Sequence, residues 1–584
     1  MQTIRGARQR SVSVRRLHGS RIAGGLLAAC LLLSACNGGS NEPEPAATGG
    51  GTESEDPDGA AEPAGGRQVG GEVVWAFPSQ EAGDFVTLDP NIGNVSTYAN
   101  SISSAVFDSL VYQDPETNEI VGGLAESWEL SDDGLMWTIK LRDGVKFHDG
   151  TPLTADDVVF TMERTQDPQY APRNAFAGSL AANVDAVTAI DDLTVEIRMS
   201  APQANFLSSV LGRGYYSIVS RSIVEATGVD EFGQAPIGTG PYKLIEWIPN
   251  EHILLERNPD YTWGPSFTET AGGPPDLQSL KFVYIAEPST RLAAFLAGEV
   301  NVIDGIPEVD QSRLETMEQY QVIEIEKNGQ SGMLDMNGLR APLDNINVRR
   351  AIANAIDRDA INTALYAGVH SPNYHFVEAR MLHRNEAAQV PGFDLGEANR
   401  LLDEEGWEMG PDGVREKDGS PLELEGLVYA ENARLLEFLQ GQLSAVGIKL
   451  NVNPAARSAV TELVQTPGSD WDLHIGLAHG RTNEDPNVLA TMYGCAMIPP
   501  ENTSNLSGHC DEEIDELLDL GLEEFDPDQR QDYYYRAQVG LAENLPNIPL
   551  LSHRRNIGAH VGIHGFMPDA RGTYRYFHDM WMEQ

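Results

Sequence analysis

Residues 124–163 read LAESWELSDDGLMWTIKLRDGVKFHDGTPLTADDVVFTME. Within them, Trp137 to Arg142 alternates large apolar with polar side chains, the period of a half-buried strand. Asp-Gly pairs stand at Asp133-Gly134, Asp143-Gly144 and Asp149-Gly150. Each is a turn signal, because glycine accepts positive φ at little steric cost. Thr154-Ala-Asp-Asp157 then precedes the apolar Val158-Val-Phe160, a capping-box pattern that opens a helix. The block therefore predicts strand, turn, strand, turn, helix. Phe147, His148 and Asp149 read as turn and packing residues rather than as a metal or catalytic site.

Similar punctuation runs along the chain. Gly71 to Phe77 predicts a strand and leads to Thr87-Leu-Asp-Pro90. Pro236-Ile-Gly-Thr-Gly-Pro-Tyr242 sets two glycines between prolines, a stiff and sharply turned loop, followed by a strand over 242–247. Arg257-Asn-Pro-Asp-Tyr261 comes next. The segment 287–302 predicts a helix ending at Gly298 and then a strand. Asn347 to Asp357 predicts a helix with Val348, Ile352, Ala355 and Ile356 on one face. Leu435–Val446 predicts another, with Gly447 as its cap and a strand over 448–452. Asp470 to Ile475 is a further strand, with Trp471 and Leu473 in its core pattern. The mixture of strands and helices implies an α/β fold.

The 124–163 block resembles the signature of the family 5 extracellular solute-binding proteins, the peptide- and nickel-type receptors of ABC importers. The scattered motifs extend the resemblance over roughly residues 70–565. It implies a two-lobed periplasmic-binding-protein-like fold of the peptide-binding type, with an extra subdomain in the first lobe. The first lobe would take 67–105, 234–326 and 556–584, its subdomain 106–233, and the second lobe 327–555. It also implies a monomer that offers a captured solute to a permease and ATPase complex, with no cofactor.

The N-terminus gives the location. Residues 1–35 carry six arginines and no acid, with an apolar run from Ile22 to Leu33. That is a signal peptide, and the run is short of the roughly 20 residues a membrane span needs. Leu33-Ser34-Ala35-Cys36 resembles a bacterial lipobox, which implies cleavage before Cys36 and lipidation of its thiol. Arg15-Arg16 opens like a twin-arginine signal but the residues after it depart, so both export routes stay open. Residues 36–66 follow as an acidic tether. From Asn37 to Gly66 they hold seven acids, no base, no aromatic and no large aliphatic residue. Such a segment cannot bury enough apolar surface to offset chain entropy. As a coil it would span roughly 30 Å.

Composition narrows the partners. A chain of 584 residues exceeds one small core and implies two or three lobes. Hydrophobic content of 41% is ordinary for a soluble body, but the formal net charge of −47 is not. Nucleic acid and anionic membrane surfaces are poor partners for it. Contact with the membrane would run through the lipid anchor alone. No HExxH, GxSxG, Walker loop, dinucleotide fingerprint or CxxC occurs, so a secreted hydrolase lacks its nucleophile or metal cluster. Of four cysteines, Cys495 and Cys510 would remain besides the lipidated Cys36. An even pair in an exported chain reads as a disulfide, as relatives of the peptide-binding type often have in this loop. Only His509 adds a nearby ligand, so zinc is not expected.

The ligand is less defined. The resemblance implies that an aspartate after the 470–475 strand holds a peptide amine, but Arg481 occupies that place, with Glu484 and Asp485 close by. It also implies an arginine for the peptide carboxylate, and Gly426-Leu-Val-Tyr-Ala430 has none. An oligopeptide held by its backbone remains open, as do a sugar, an opine and a metal chelate. A sensor without transport is the further alternative. Candidate ligand-binding residues are Thr97, Tyr98, Tyr429, His479, Arg481, Glu484 and Asp485.

Overall fold

A computed structural model describes residues 67, 69–78, 87–92, 97–167, 178, 180–270, 272–475, 485–500 and 504–583. Its backbone is organised by two large mixed sheets. The first has seven strands, in the order Tyr320–Glu326, Arg554–His560, Val302–Asp304, Glu72–Phe77, Ser279–Tyr284, His252–Arg257 and Tyr242–Ile248. Glu72–Phe77 runs parallel to both of its neighbours, and the remaining pairs are antiparallel. The second has six strands: Ser371–Pro372, Asn547–Ser552, Gly332–Met336, Leu473–Ile475, Glu423–Tyr429 and Lys449–Ala455. These sheets are the cores of the two lobes.

Each lobe closes over its own apolar interior. In the first, Trp75 meets Phe77, Phe282, Tyr574 and Phe577 with ring centroids 5.1–6.4 Å apart, a set of stacked, tilted and edge-on contacts. In the second, the helix Ile346–Ala355 buries Val348, Ile352 and Ala355, and Ile356 just beyond it is buried too. Asn345 caps that helix by accepting from the Asn347 N–H.

The decisive block supplies two strands, Ala125–Leu130 and Met136–Leu141, of a separate small sheet completed by Thr194–Met199 and Val184–Asp191. Trp137, Ile139 and Leu141 face its core, while the residues between them face outward. Gly134, Gly144 and Gly150 all take positive φ at the Asp-Gly turns. Thr154 and Asp157 form the capping box of the helix Ala155–Gln166, with the Thr154 N–H donating to Asp157 Oδ2 at 2.9 Å.

Two distant motifs lock this subdomain to the first lobe. Arg164 on the helix meets Asp89 of the Thr87–Pro90 motif at 2.7 Å, with both side chains buried. His148 docks on the Pro236–Tyr242 loop, where its backbone N–H donates to Gly238 O and its ring contacts Gly240 O at 2.9 Å. A Cβ on Gly238 would stand 2.0 Å from Val106 O, so only glycine fits that approach. Burial holds the His148 imidazole down to about 4, which suits a neutral packing residue.

The chain passes between the large sheets twice. Residues 327–331 connect Tyr320–Glu326 to Gly332–Met336, and His553 alone connects Asn547–Ser552 to Arg554–His560. Few-residue connections of this kind are where lobe closure is absorbed. Cys495 and Cys510 are joined by a disulfide in the second lobe. Among the described residues, no helix is long and apolar enough to cross a membrane.

Candidate functional site

Charged side chains converge where the two crossings meet. Arg555 is the second residue after the second crossing and pairs with Ile325 in the sheet register. Its guanidinium grips Asp304 with Nε and Nη2, the Nε contact being 3.0 Å. Both side chains are buried, at 9% exposure for Arg555 and 1% for Asp304. The guanidinium lies over the ring of Tyr98 at 4.9 Å and that of Tyr574 at 5.5 Å. Burial alone would lower the Arg555 group, but the Asp304 carboxylate together with Tyr98 and Tyr574 outweighs it and raises it. Burial and then Asp304 hold the Tyr98 phenol well above its usual range. Nη1 of Arg555 is buried and meets no hydrogen-bond partner among the described residues.

Lys327, the first residue of the other crossing, lines two adjoining cavities of about 240 Å³ each. One also contains Tyr98, Asp304, Glu308, His370 and Arg555. The other contains Asn373, His375, Glu378, Arg384 and His553. The first cavity draws its walls from both lobes, and the second is walled mostly by the second lobe, with Glu326 and Arg554 of the first sheet at its edge. Burial first, and the Arg555 charge second, pull the Lys327 ammonium below the usual lysine range.

The other charges here are already paired. Arg554 reaches Glu324 at 3.2 Å and Glu326 at 3.4 Å, and Arg384 reaches Glu386 at 3.1 Å. His370 is held down to about 4 by burial. Its ring stands edge-on to His553 at 4.7 Å.

Glu378 is 3% exposed, and burial raises its carboxyl from 4.5 to about 7. Folding therefore retains a proton that the unfolded chain releases. Stability from this group is full below the unfolded value, falls as pH rises between the two, and is lower by about 3 kcal/mol above pH 7. Glu378→Gln is expected to be more stable than the parent at about pH 8, with the gap closing near pH 4. Urea unfolding at the two pH values measures it, and a gap independent of pH would refute the assignment.

The structure brings together only part of the sequence-derived set. Thr97 opens the helix Thr97–Val106, and Tyr98 behind it enters the junction cavity. Tyr429 does not line these cavities. Its ring sits in a small core with Val460, Val464 and Trp471, its hydroxyl is 3.0 Å from Thr461 Oγ1, and Arg457 covers it. Asp485 does not line them either, and its buried carboxylate is held by Arg530 at 2.6 Å. His479, Arg481, Glu484 and Cys36 lie outside the described residues.

Lys327, Asp304, Glu378 and Arg555 were missed. Their one signal was a lysine at the start of the inferred second lobe and an arginine at its end, in a chain with 40 basic against 87 acidic residues.

The comparisons with known proteins agree with this geometry. The model of the bacterial extracellular solute-binding proteins, family 5 Middle, matches residues 119–499. Glutathione-binding protein GsiB of Escherichia coli O1:K1 / APEC is 29% identical over 503 residues, covering 85% of this chain and 92% of that one. NikA from Brucella suis, in complex with Fe(III)-EDTA, superimposes with a TM-score of 0.77 at 26% identity over 88% of this chain and 100% of its own. DppA from Helicobacter pylori, in complex with the peptide STSA, gives a TM-score of 0.72 at 24% identity over 88% and 99%. The chain belongs to the bacterial extracellular solute-binding proteins, family 5: it is a binding protein, not an enzyme.

Proposed function

We propose that this solute-binding protein of an ABC importer captures a small peptide or peptide-related solute in the cleft between its lobes. The first lobe would comprise 67–105, 234–326 and 554–584 with its subdomain 106–233, and the second 327–553, the last border moved from 555 because Arg554–His560 is a strand of the first sheet. Closure about residues 327–331 and His553 would enclose the solute and present the closed form to the permease and ATPase. Cys36 would hold the protein, a monomer, on the outer side of the membrane through its lipid, with residues 37–66 as the tether. The observation that carries the reading is that the junction cavity holding Tyr98 and Lys327 is walled by the two lobes together. Likeness to a glutathione-binding protein across 92% of its length supports a peptide-related ligand.

The test is mass spectrometry of whatever co-purifies with the native protein, followed by uptake of that molecule in a deletion strain. A peptide whose uptake falls on deletion supports the reading, and unchanged uptake refutes it. Intact mass of the membrane-extracted protein tests the anchor, which fails if Cys36 carries no acyl mass. A non-peptide solute is the second reading. It is favoured by Arg481 at the place where the family's dipeptide receptors have an aspartate, and by likeness to NikA bound to a chelate.

A further inference from the structure

The junction cavities show an imbalance of partners. In a chain of net charge −47, a buried cation has many carboxylates to choose from. Arg384 and Arg555 have each taken one and Arg554 two. Lys327 has not: among the described residues its ammonium makes no hydrogen bond and no ion pair, although it lines both cavities. Glu378 and Glu308 share those walls without pairing with it. Arg555 lines one of these cavities with its charge already committed to Asp304. An unpaired, partly desolvated ammonium is costly in the empty cleft. An anion that reaches it converts that cost into a charge-assisted contact.

We infer that Lys327 is the anchor for a carboxylate of the bound solute, so the protein selects small carboxylate-bearing solutes. This rests on the reading of the interlobe cleft as the solute site. Asp304 sets the selectivity from the other side. By neutralising Arg555 it leaves the Lys327 ammonium, among the described residues, as the cation of this cavity without an ion-pair partner. Tyr98 closes the cavity as a neutral wall, since its phenol stays protonated.

The experiment uses the full chain, with glutarate and glutaramide as probes in titration calorimetry. Glutarate is expected to bind and glutaramide not to bind. Lys327→Met is expected to weaken glutarate by about tenfold to a hundredfold, and Lys327→Arg to restore most of it. Lys327 makes no internal bond to lose, so these variants are expected to fold, and thermal unfolding checks that. Equal behaviour of the two probes, or parent-like glutarate binding by Lys327→Met, overturns the inference. A co-purifying solute without a carboxylate overturns it too, yet leaves the receptor reading intact. Glutarate binding that depends on Lys327, in a protein whose deletion changes no uptake, sustains the anion site and defeats the transport reading.

Discussion

Asp304→Ala is expected to lower the unfolding free energy by about 3–5 kcal/mol, the cost of breaking a buried ion pair from one side. The reason lies in what remains. Arg555 keeps its charge, stays enclosed by Tyr98 and Tyr574, and loses the carboxylate that holds two of its three nitrogens. Arg291 is also close, with Nε donating to Asp304 O at 2.8 Å and Nη2 to Gly305 O at 3.0 Å. The carbonyls hold that guanidinium whatever stands at the 304 side chain, so a second cation stays near the uncompensated one. Asp304→Leu combined with Arg555→Met removes both charges and is expected to recover most of the loss. Urea unfolding of the single and double variants gives the coupling directly. A single variant within about 1 kcal/mol of the parent would mean that water reaches Arg555 freely and that the pair is of the surface kind.

The local features of the chain were legible because their causes are local. The strand from Met136, the three Asp-Gly turns and the Thr154 capping box each need only neighbours within a few residues. The role of His148 was readable as packing, although its partners at Gly238 and Gly240 lie about ninety residues on. The junction site was not readable, because Tyr98, Asp304, Lys327, Glu378 and Arg555 come from five separate segments. Only the order of strands in two sheets brings them together. The surroundings of Tyr429 were hard to read for a related reason. The end of its strand is buried on both faces, so alternation no longer tells which side a residue faces. Its hydroxyl partner Thr461 comes from the helix Arg457–Val464.

Asp485 shows the same limit with the opposite outcome. Beside Arg481 and Glu484 in sequence it looked like a ligand carboxylate. In the fold it is 2% exposed, bonded to Arg530 Nη2 at 2.6 Å, and its Oδ1 accepts the Asn487 N–H at 2.9 Å. Arg530 is fixed from its other side by donating Nε to Gly521 O, and its guanidinium lies over Tyr534 at 5.1 Å. The pair thus joins the residues leading into the helix Val488–Tyr493 to the long helix Pro527–Asn544. Asp485→Ala is expected to cost about 3–5 kcal/mol of stability, with Arg530→Met in the same chain recovering most of it. Glutarate affinity of the folded variant is expected to match the parent. A variant of parental stability that has lost solute binding would instead return Asp485 to the ligand site. Three buried arginine side chains, Arg164, Arg530 and Arg555, each hold a buried carboxylate, at Asp89, Asp485 and Asp304. These pairs join the subdomain to the first lobe, the residues before one helix to another helix, and strand to strand within one sheet. Lys327 stands at the crossing between lobes, where an internal partner would fix one lobe geometry, and there the partner is left for the solute to supply.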